Sequence, residues 1–154
     1  MSENILDKII KKKIEKIDLL KKSISLQSLR EKIDKNKSFI NFKEKIKNNI
    51  NNKKISIIAE IKKASPSGGI IVNKYNPVEI AEIYYKNKIT CLSILTEEDF
   101  FLGNLIDVSK VKEKINLPIL CKDFFIDRFQ VSLARSYGAD AILIILAGVS
   151  DDLA

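Results

Sequence analysis

Two short stretches place charge where an apolar run would normally exclude it. In "IIAEIKKASPSGG" (57–69), Glu60, Lys62 and Lys63 interrupt a strand-like run that stops at Ser65-Pro66-Ser67-Gly68-Gly69. In "ILCKDFF" (119–125), Lys122 and Asp123 do the same. Desolvating an unpaired charge is costly, so such groups need either a partner or a task. A lysine ammonium in a desolvated site is a workable general acid, because burial and like-charge neighbours bring its pKa toward neutrality. On an extended strand Glu60 and Lys62 share one face, about 6.6–6.8 Å apart, so both could reach one bound molecule. The plainer alternative is a pair of solvated strand-end lysines with Glu60 as an ion-pair partner. The residues alone leave both readings open.

The segments carrying these charges belong to a regular alternation. "ISIIAEI" (55–61), "TCLSIL" (90–95), "LPILCK" (117–122) and "DAILIILA" (140–147) are short, rich in Ile and Leu, and bounded by polar residues. They begin 35, 27 and 23 residues apart, with helical patterns between them. In "NPVEIAEIYYKN", Asn76 is an N-cap with Pro77 at the first helical position and Glu79 at the third. In "DRFQVSLARSYG", Asp127 caps, Gln130 completes a capping box and Gly138 terminates. This predicts β/α units and a parallel sheet, the repeat of both the doubly wound sheet and the (β/α)₈ barrel.

Charge placement separates the two. Alternation puts Ser56, Ile58, Glu60 and Lys62 on one face, with Ile55, Ile57, Ala59 and Ile61 on the other; Leu120, Lys122 and Phe124 likewise oppose Ile119, Cys121 and Asp123. In an open sheet Glu60 and Lys122 would face dry core. In a barrel the strands' C-terminal ends form the mouth of the site, where charges belong. The reading is therefore an α/β barrel.

Ahead of these units, Leu6, Ile9, Ile10, Ile14, Ile17 and Leu20 form one helical stripe over residues 4–21, with lysines opposite. A second helix is expected over about 38–49. Residues 1–54 thus read as an N-terminal helical extension packing on the barrel, and 55–154 as its first four βα units.

Composition narrows the function classes. The chain has 154 residues, 45% hydrophobic, with no His and only Cys91 and Cys121. Zinc sites and His-based triads are excluded, and two cysteines are too few for a disulfide framework. No apolar run approaches the roughly 20 residues a membrane span needs, and "MSENILDKIIKKK" lacks a signal-peptide core. These observations predict a cytoplasmic protein with no membrane partner. The net charge of +7 is uneven: residues 1–54 carry 16 Lys/Arg against 7 Asp/Glu, the remainder 11 against 13. Lys, Ile and Asn make up 63 residues, as codon bias would produce. Without aromatic residues interleaved among the lysines, nucleic acid is not expected as a partner.

"IIAEIKKASPSGG", "SILTEEDFFLG" (93–103) and "ILCKDFFIDRFQVSLARSYGADAILII" (119–145), in that order, resemble the indole-3-glycerol phosphate synthase family, and "ILDKIIKKKIEKI" resembles its leading helix. The resemblance spans the whole chain. It implies a (β/α)₈ barrel that closes an indole ring without metal or organic cofactor. The phosphorylated substrate is 1-(2-carboxyphenylamino)-1-deoxyribulose 5-phosphate, converted to indole glycerol phosphate with loss of carbon dioxide and water. Carried over residue by residue, it implies that Lys122 is the general acid, Lys62 contacts the anionic substrate and Glu60 is its companion carboxylate. Ser65 and Pro66 border the ligand in a loop given mobility by Gly68 and Gly69; Phe101 and Phe124 wall the anthranilate ring, and Leu143 adds an apolar contact. Phe100 and Phe125 read as packing residues, and Asp123 as a strand-end anchor.

Four strands are present where the barrel needs eight, and "GVSDDLA" offers a helix start at Ser150. The expectation is a fragment, inactive alone, whose partner is a C-terminal half-barrel carrying a second catalytic glutamate and most of the phosphate site. Oligomeric state is left open. Another phosphosugar barrel of tryptophan or histidine biosynthesis is the competing reading, disfavoured by the K-D-F block and S-P-S loop; a basic nucleic-acid module is a third.

Overall fold

A computed structural model describes residues 4–35 and 38–154. Three helices lead: α1 (Ile5–Ser23), α2 (Leu26–Lys35) and α3 (Phe42–Asn51). Then come β1 (Ile58–Ile61), a small antiparallel hairpin of β2 (Ala64–Ser65) and β3 (Gly69–Ile70), α4 (Pro77–Lys86), β4 (Cys91–Leu95), α5 (Ile106–Lys114), β5 (Ile119–Lys122), α6 (Arg128–Ser136) and β6 (Ala141–Ile142). A 3₁₀ turn, Leu146–Gly148, follows. The main sheet runs β1-β4-β5-β6, every neighbour parallel.

The expected helix signals operate as read. Asn76 accepts from the backbone N–H groups of Val78 and Glu79, with Pro77 opening α4. Asp127 and Gln130 form the reciprocal capping box of α6. The core lies between sheet and helices, where Ile61, Leu92, Ile94, Val108, Val111 and Ile119 are fully buried. On β5, Ile119 and Cys121 face this core while Leu120 and Lys122 stay partly exposed, so the predicted alternation holds.

Several boundaries differ from expectation for identifiable reasons. β1 covers four residues of the predicted 55–61, and Ile55 is 87% exposed. The Ile57 N–H donates to the Thr90 hydroxyl at 3.0 Å, and Asn49 donates to the same hydroxyl at 3.2 Å. The Ile57 carbonyl still accepts from the Thr90 and Cys91 N–H groups, but its own N–H is turned to a side chain, and the ladder ends there. β6 covers only two residues of the predicted 140–147; it is paired on one side only, and Leu146–Gly148 coils into the 3₁₀ turn. The helix expected at 38–49 lies at 42–51, capped by Asn41. α2 was not anticipated; Ser25 caps it by accepting from the Ser28 N–H at 3.0 Å, and a single residue, Leu29, is buried.

On α1, Leu6, Ile9, Ile10, Ile17 and Leu20 of the expected stripe are buried or partly buried, and one position differs. Ile9, Lys13 and Ile17 form its buried line, whereas Ile14 is 49% exposed. A lysine displaces an isoleucine from the packed side because an acid waits beneath it: the Lys13 ammonium lies 2.6 Å from Asp123.

Candidate functional site

Strand order decides what the charged residues can reach. β4 lies between β1 and β5, with Glu60 opposite Ser93 and Ser93 opposite Leu120. Lys122 sits two residue pairs further on, opposite Leu95. Ser93 is small, so the Lys122 side chain crosses β4 and its ammonium donates to Glu60 Oε2. The Lys62 ammonium lies 2.8 Å from Glu60 Oε1. One carboxylate therefore bridges two lysines from non-adjacent strands, and all three side chains are about one-third exposed at the C-terminal ends of the strands.

This geometry sets the electrostatics. Burial pushes the Glu60 carboxyl up, but hydrogen bonds and charge from Lys122 and Lys62 outweigh it, and the group sits below the ordinary 4.5. From α4, the Tyr84 hydroxyl donates to the Glu60 backbone carbonyl at 3.2 Å. Glu60, Lys62, Ile71, Val72, Ile80 and Tyr84 line a cleft of about 430 Å³.

The remaining predicted residues divide into two groups. Phe101 and Phe124 come together, their ring centroids 6.2 Å apart and planes tilted by 41°, a favourable aromatic geometry. Leu143 lies one residue past the last paired position of β6, at the level of Lys122 when the register is continued, while Ile142 and Ile144 pack on the core. Ser65 and Pro66 belong to the β2–β3 hairpin. The Ser65 hydroxyl accepts from the Gly68 N–H at 3.0 Å, and Gly69 adopts a φ of 60°. The glycine thus has a geometric duty in a closed hairpin, whose Ile71 N–H returns to the Lys63 carbonyl at 2.9 Å. Phe125 is buried in the core, as expected of a packing residue.

Three residues escaped the sequence reading. Thr96 donates to Asp123 Oδ2 at 2.8 Å, completing a chain from Lys13 through Asp123 to β4. Asp123 also accepts from the Phe124 N–H at 2.7 Å. Glu97, only 1% exposed, accepts from three consecutive backbone N–H groups, those of Asp99, Phe100 and Phe101. The sequence reading assigned it no role; its place in "TEEDFF", soon after a buried strand, was the available signal. Gly103 completes the turn, since a Cβ there would stand 2.3 Å from the Leu95 carbonyl oxygen.

Both cysteines are free and buried, and burial pushes the Cys91 thiol up to about 11 and the Cys121 thiol up to about 12. Among the described residues no cluster of three or more His, Cys, Asp or Glu is arranged to hold a metal. No described helix is long and apolar enough to cross a membrane.

Comparison with known proteins gives the same direction. The family described as "Indole-3-glycerol phosphate synthase" matches residues 6–154. The chain is 40% identical to the indole-3-glycerol phosphate synthase of Trichodesmium erythraeum, over 97% of this chain and 50% of that one. It is 44% identical to that of Prochlorococcus marinus subsp. pastoris, over 98% and 50%. To the tryptophan biosynthesis protein TrpCF of Buchnera aphidicola it is 48% identical, over 98% and 32%. The chain thus spans about half the length of the synthases it matches. With its parallel sheet of successive βα units, it belongs to the indole-3-glycerol phosphate synthase family of (β/α)₈ barrels.

Proposed function

We propose that this chain supplies the first half of an indole-3-glycerol phosphate synthase, with residues 1–54 as an extension over the barrel mouth and 55–154 as four of its eight βα units. The assembled enzyme takes 1-(2-carboxyphenylamino)-1-deoxyribulose 5-phosphate, closes the ring, and releases carbon dioxide and water. The observation that carries this reading is the Glu60 carboxylate held by Lys62 and Lys122 from strands separated by β4. In ring closure an aromatic carbon attacks the ribulose carbonyl, whose oxygen must gain a proton. Lys122 is the donor: its N–H bond breaks as the O–H bond forms. Loss of the carboxyl group as carbon dioxide restores the aromatic ring; the new hydroxyl then takes a further proton and departs as water while the adjacent CH₂ gives up a proton to a base, so the C–O and C–H bonds break as the indole double bond forms. Lys62 holds a substrate anion. Before substrate arrives Glu60 bridges both ammonium groups; when a substrate anion takes Lys62, Glu60 keeps its pairing with Lys122 and no charge is left without a partner.

Phe101 and Phe124 flank the anthranilate ring, Leu143 extends that apolar wall, and Ser65 and Pro66 border the ligand from the hairpin. The remaining contacts belong to a partner half-barrel. We place the reaction in the cytoplasm, in keeping with two unpaired thiols. The test is to purify residues 1–154, supply the substrate and follow indole glycerol phosphate, then add the C-terminal half of the Prochlorococcus marinus enzyme. Turnover should appear only after the addition. Failure of the complemented pair to turn over would remove the proposal.

A further inference from the structure

We propose that Glu97 is a positioning residue: its buried carboxylate fixes the loop after β4 and thereby sets the Phe101 ring against Phe124, where the aromatic part of the substrate is received. The inference rests on the substrate reading above. The loop from Thr96 to Gly103 would have little reason to keep one shape from its sequence alone. Glu98 and Asp99 are exposed, and Leu102 adopts a φ of 53°, a left-handed conformation that a branched apolar side chain avoids. Such backbone persists only where its surroundings over-determine it.

Glu97 provides that determination. Its Oε1 accepts from the Asp99 N–H at 3.1 Å, and its Oε2 from the N–H groups of Phe100 at 2.7 Å and Phe101 at 3.1 Å. The Glu97 backbone carbonyl accepts from the Gly103 N–H at 2.8 Å, closing the loop on itself. Within the loop, Glu97 therefore holds the segment that carries Phe101 through both its side chain and its backbone carbonyl, while Lys16 of α1 holds Glu98 and Asp99 from outside. The three amide dipoles converge on a carboxylate with almost no water contact, an arrangement in which ionised acceptors bond most strongly. Glutamine in its place loses the charge and turns one of its two acceptor positions into an NH₂ aimed at backbone N–H groups.

Because Phe101 contacts the substrate ring in ground and transition states alike, loosening it should raise KM more than it lowers kcat. In the complemented enzyme, Glu97→Gln should raise KM about tenfold with kcat within about threefold. Phe101→Ala should do the same, and the double variant should be no worse than Phe101→Ala alone, since Glu97 acts through that ring. Multiplying penalties, or an unchanged KM for Glu97→Gln, would overturn the proposal. If the complemented unaltered enzyme were inactive, the substrate reading would fall, and the clamp would be decided separately by hydrogen exchange on the unaltered chain. There the Phe100 and Phe101 amides should exchange about a hundredfold more slowly than open-loop amides. Exchange at open-loop rates would overturn the clamp, whether or not the glutamine variant folds.

Discussion

A single carboxylate between two lysines ties residue chemistry to a definite set of losses. Replacing Lys122 by Ala removes the proposed proton donor and should lower kcat in the complemented enzyme by roughly 10²–10⁴-fold, with a smaller change in KM. Turnover within tenfold of the unaltered enzyme would exclude Lys122 as the acid. Glu60→Gln and Lys62→Ala should combine to less than the product of their separate losses, because the two groups are ion-paired and are proposed to act on one substrate as a unit. Glu60 also carries a pH signature. Its folded-state carboxyl lies below the ordinary 4.5, so its stabilising contribution is present above that value and is lost as pH falls through the lower folded one. Thermal unfolding followed between about pH 3 and 6 should lose its steepest acid decline in the Glu60→Gln variant; an unchanged slope would show that the bridge contributes nothing to acid sensitivity. Much of this site was legible in the sequence, because charge in an apolar strand is conspicuous. Glu97 was not, since an acid among acids declares its burial only when the chain folds over it.

At the scale of elements, α1 is fastened to the loops at the strands' C-terminal ends by lysines along one side. Lys16 meets Glu98 at 2.7 Å and Asp99 at 2.8 Å, Lys21 pairs with Asp127, and Lys13 with Asp123. These contacts differ in worth. The outer pairs are exposed and screened by salt, contributing about 0–1 kcal/mol each. Lys13 is buried, and Lys13→Ala would leave Asp123 short of a charged partner, costing about 1–3 kcal/mol. Asp123→Asn added to it should recover part of the loss, and a double variant no more stable than Lys13→Ala alone would contradict a charge-based explanation. Chemical denaturation of the four proteins in this cycle measures it. The helices themselves were readable because their caps are local: Asn76 and Asp127 need only the next three residues to act. Strand ends were less so. Whether Ile55 or Ile145 continues a ladder depends on a neighbour many residues away, and α2 buries too little to leave a periodic pattern.

For the whole molecule, the sheet has two open sides. Among the described residues β1 pairs only with β4, and β6 only with β5. Beside β1, Ile57 is 53% and Ile58 48% exposed, and Ile70 and Ile71 of the neighbouring hairpin are exposed as well. Apolar strands with unpaired backbone groups on one side are templates for further pairing. Residues 1–154 alone should therefore elute from a sizing column well above the 17.5 kDa of one chain, and adding the complementary half-barrel should suppress that association. A sharp monomer peak without the partner would show that the edges are already protected.

The fastening of α1 has a temporal side. Lys16 and Lys21 find their partners 82 and 106 residues later in the chain. At about 5–20 residues per second, a ribosome takes several seconds or more to supply those acids after the helix has been made. Throughout that interval Ile17 has Leu29 of α2 beside it but not the Phe129 and Leu133 that complete its cluster, and the abundant lysines of α1 keep the helix dissolved. This helix is thus made well before the acids it docks on, and its basic face serves during the wait as well as after it.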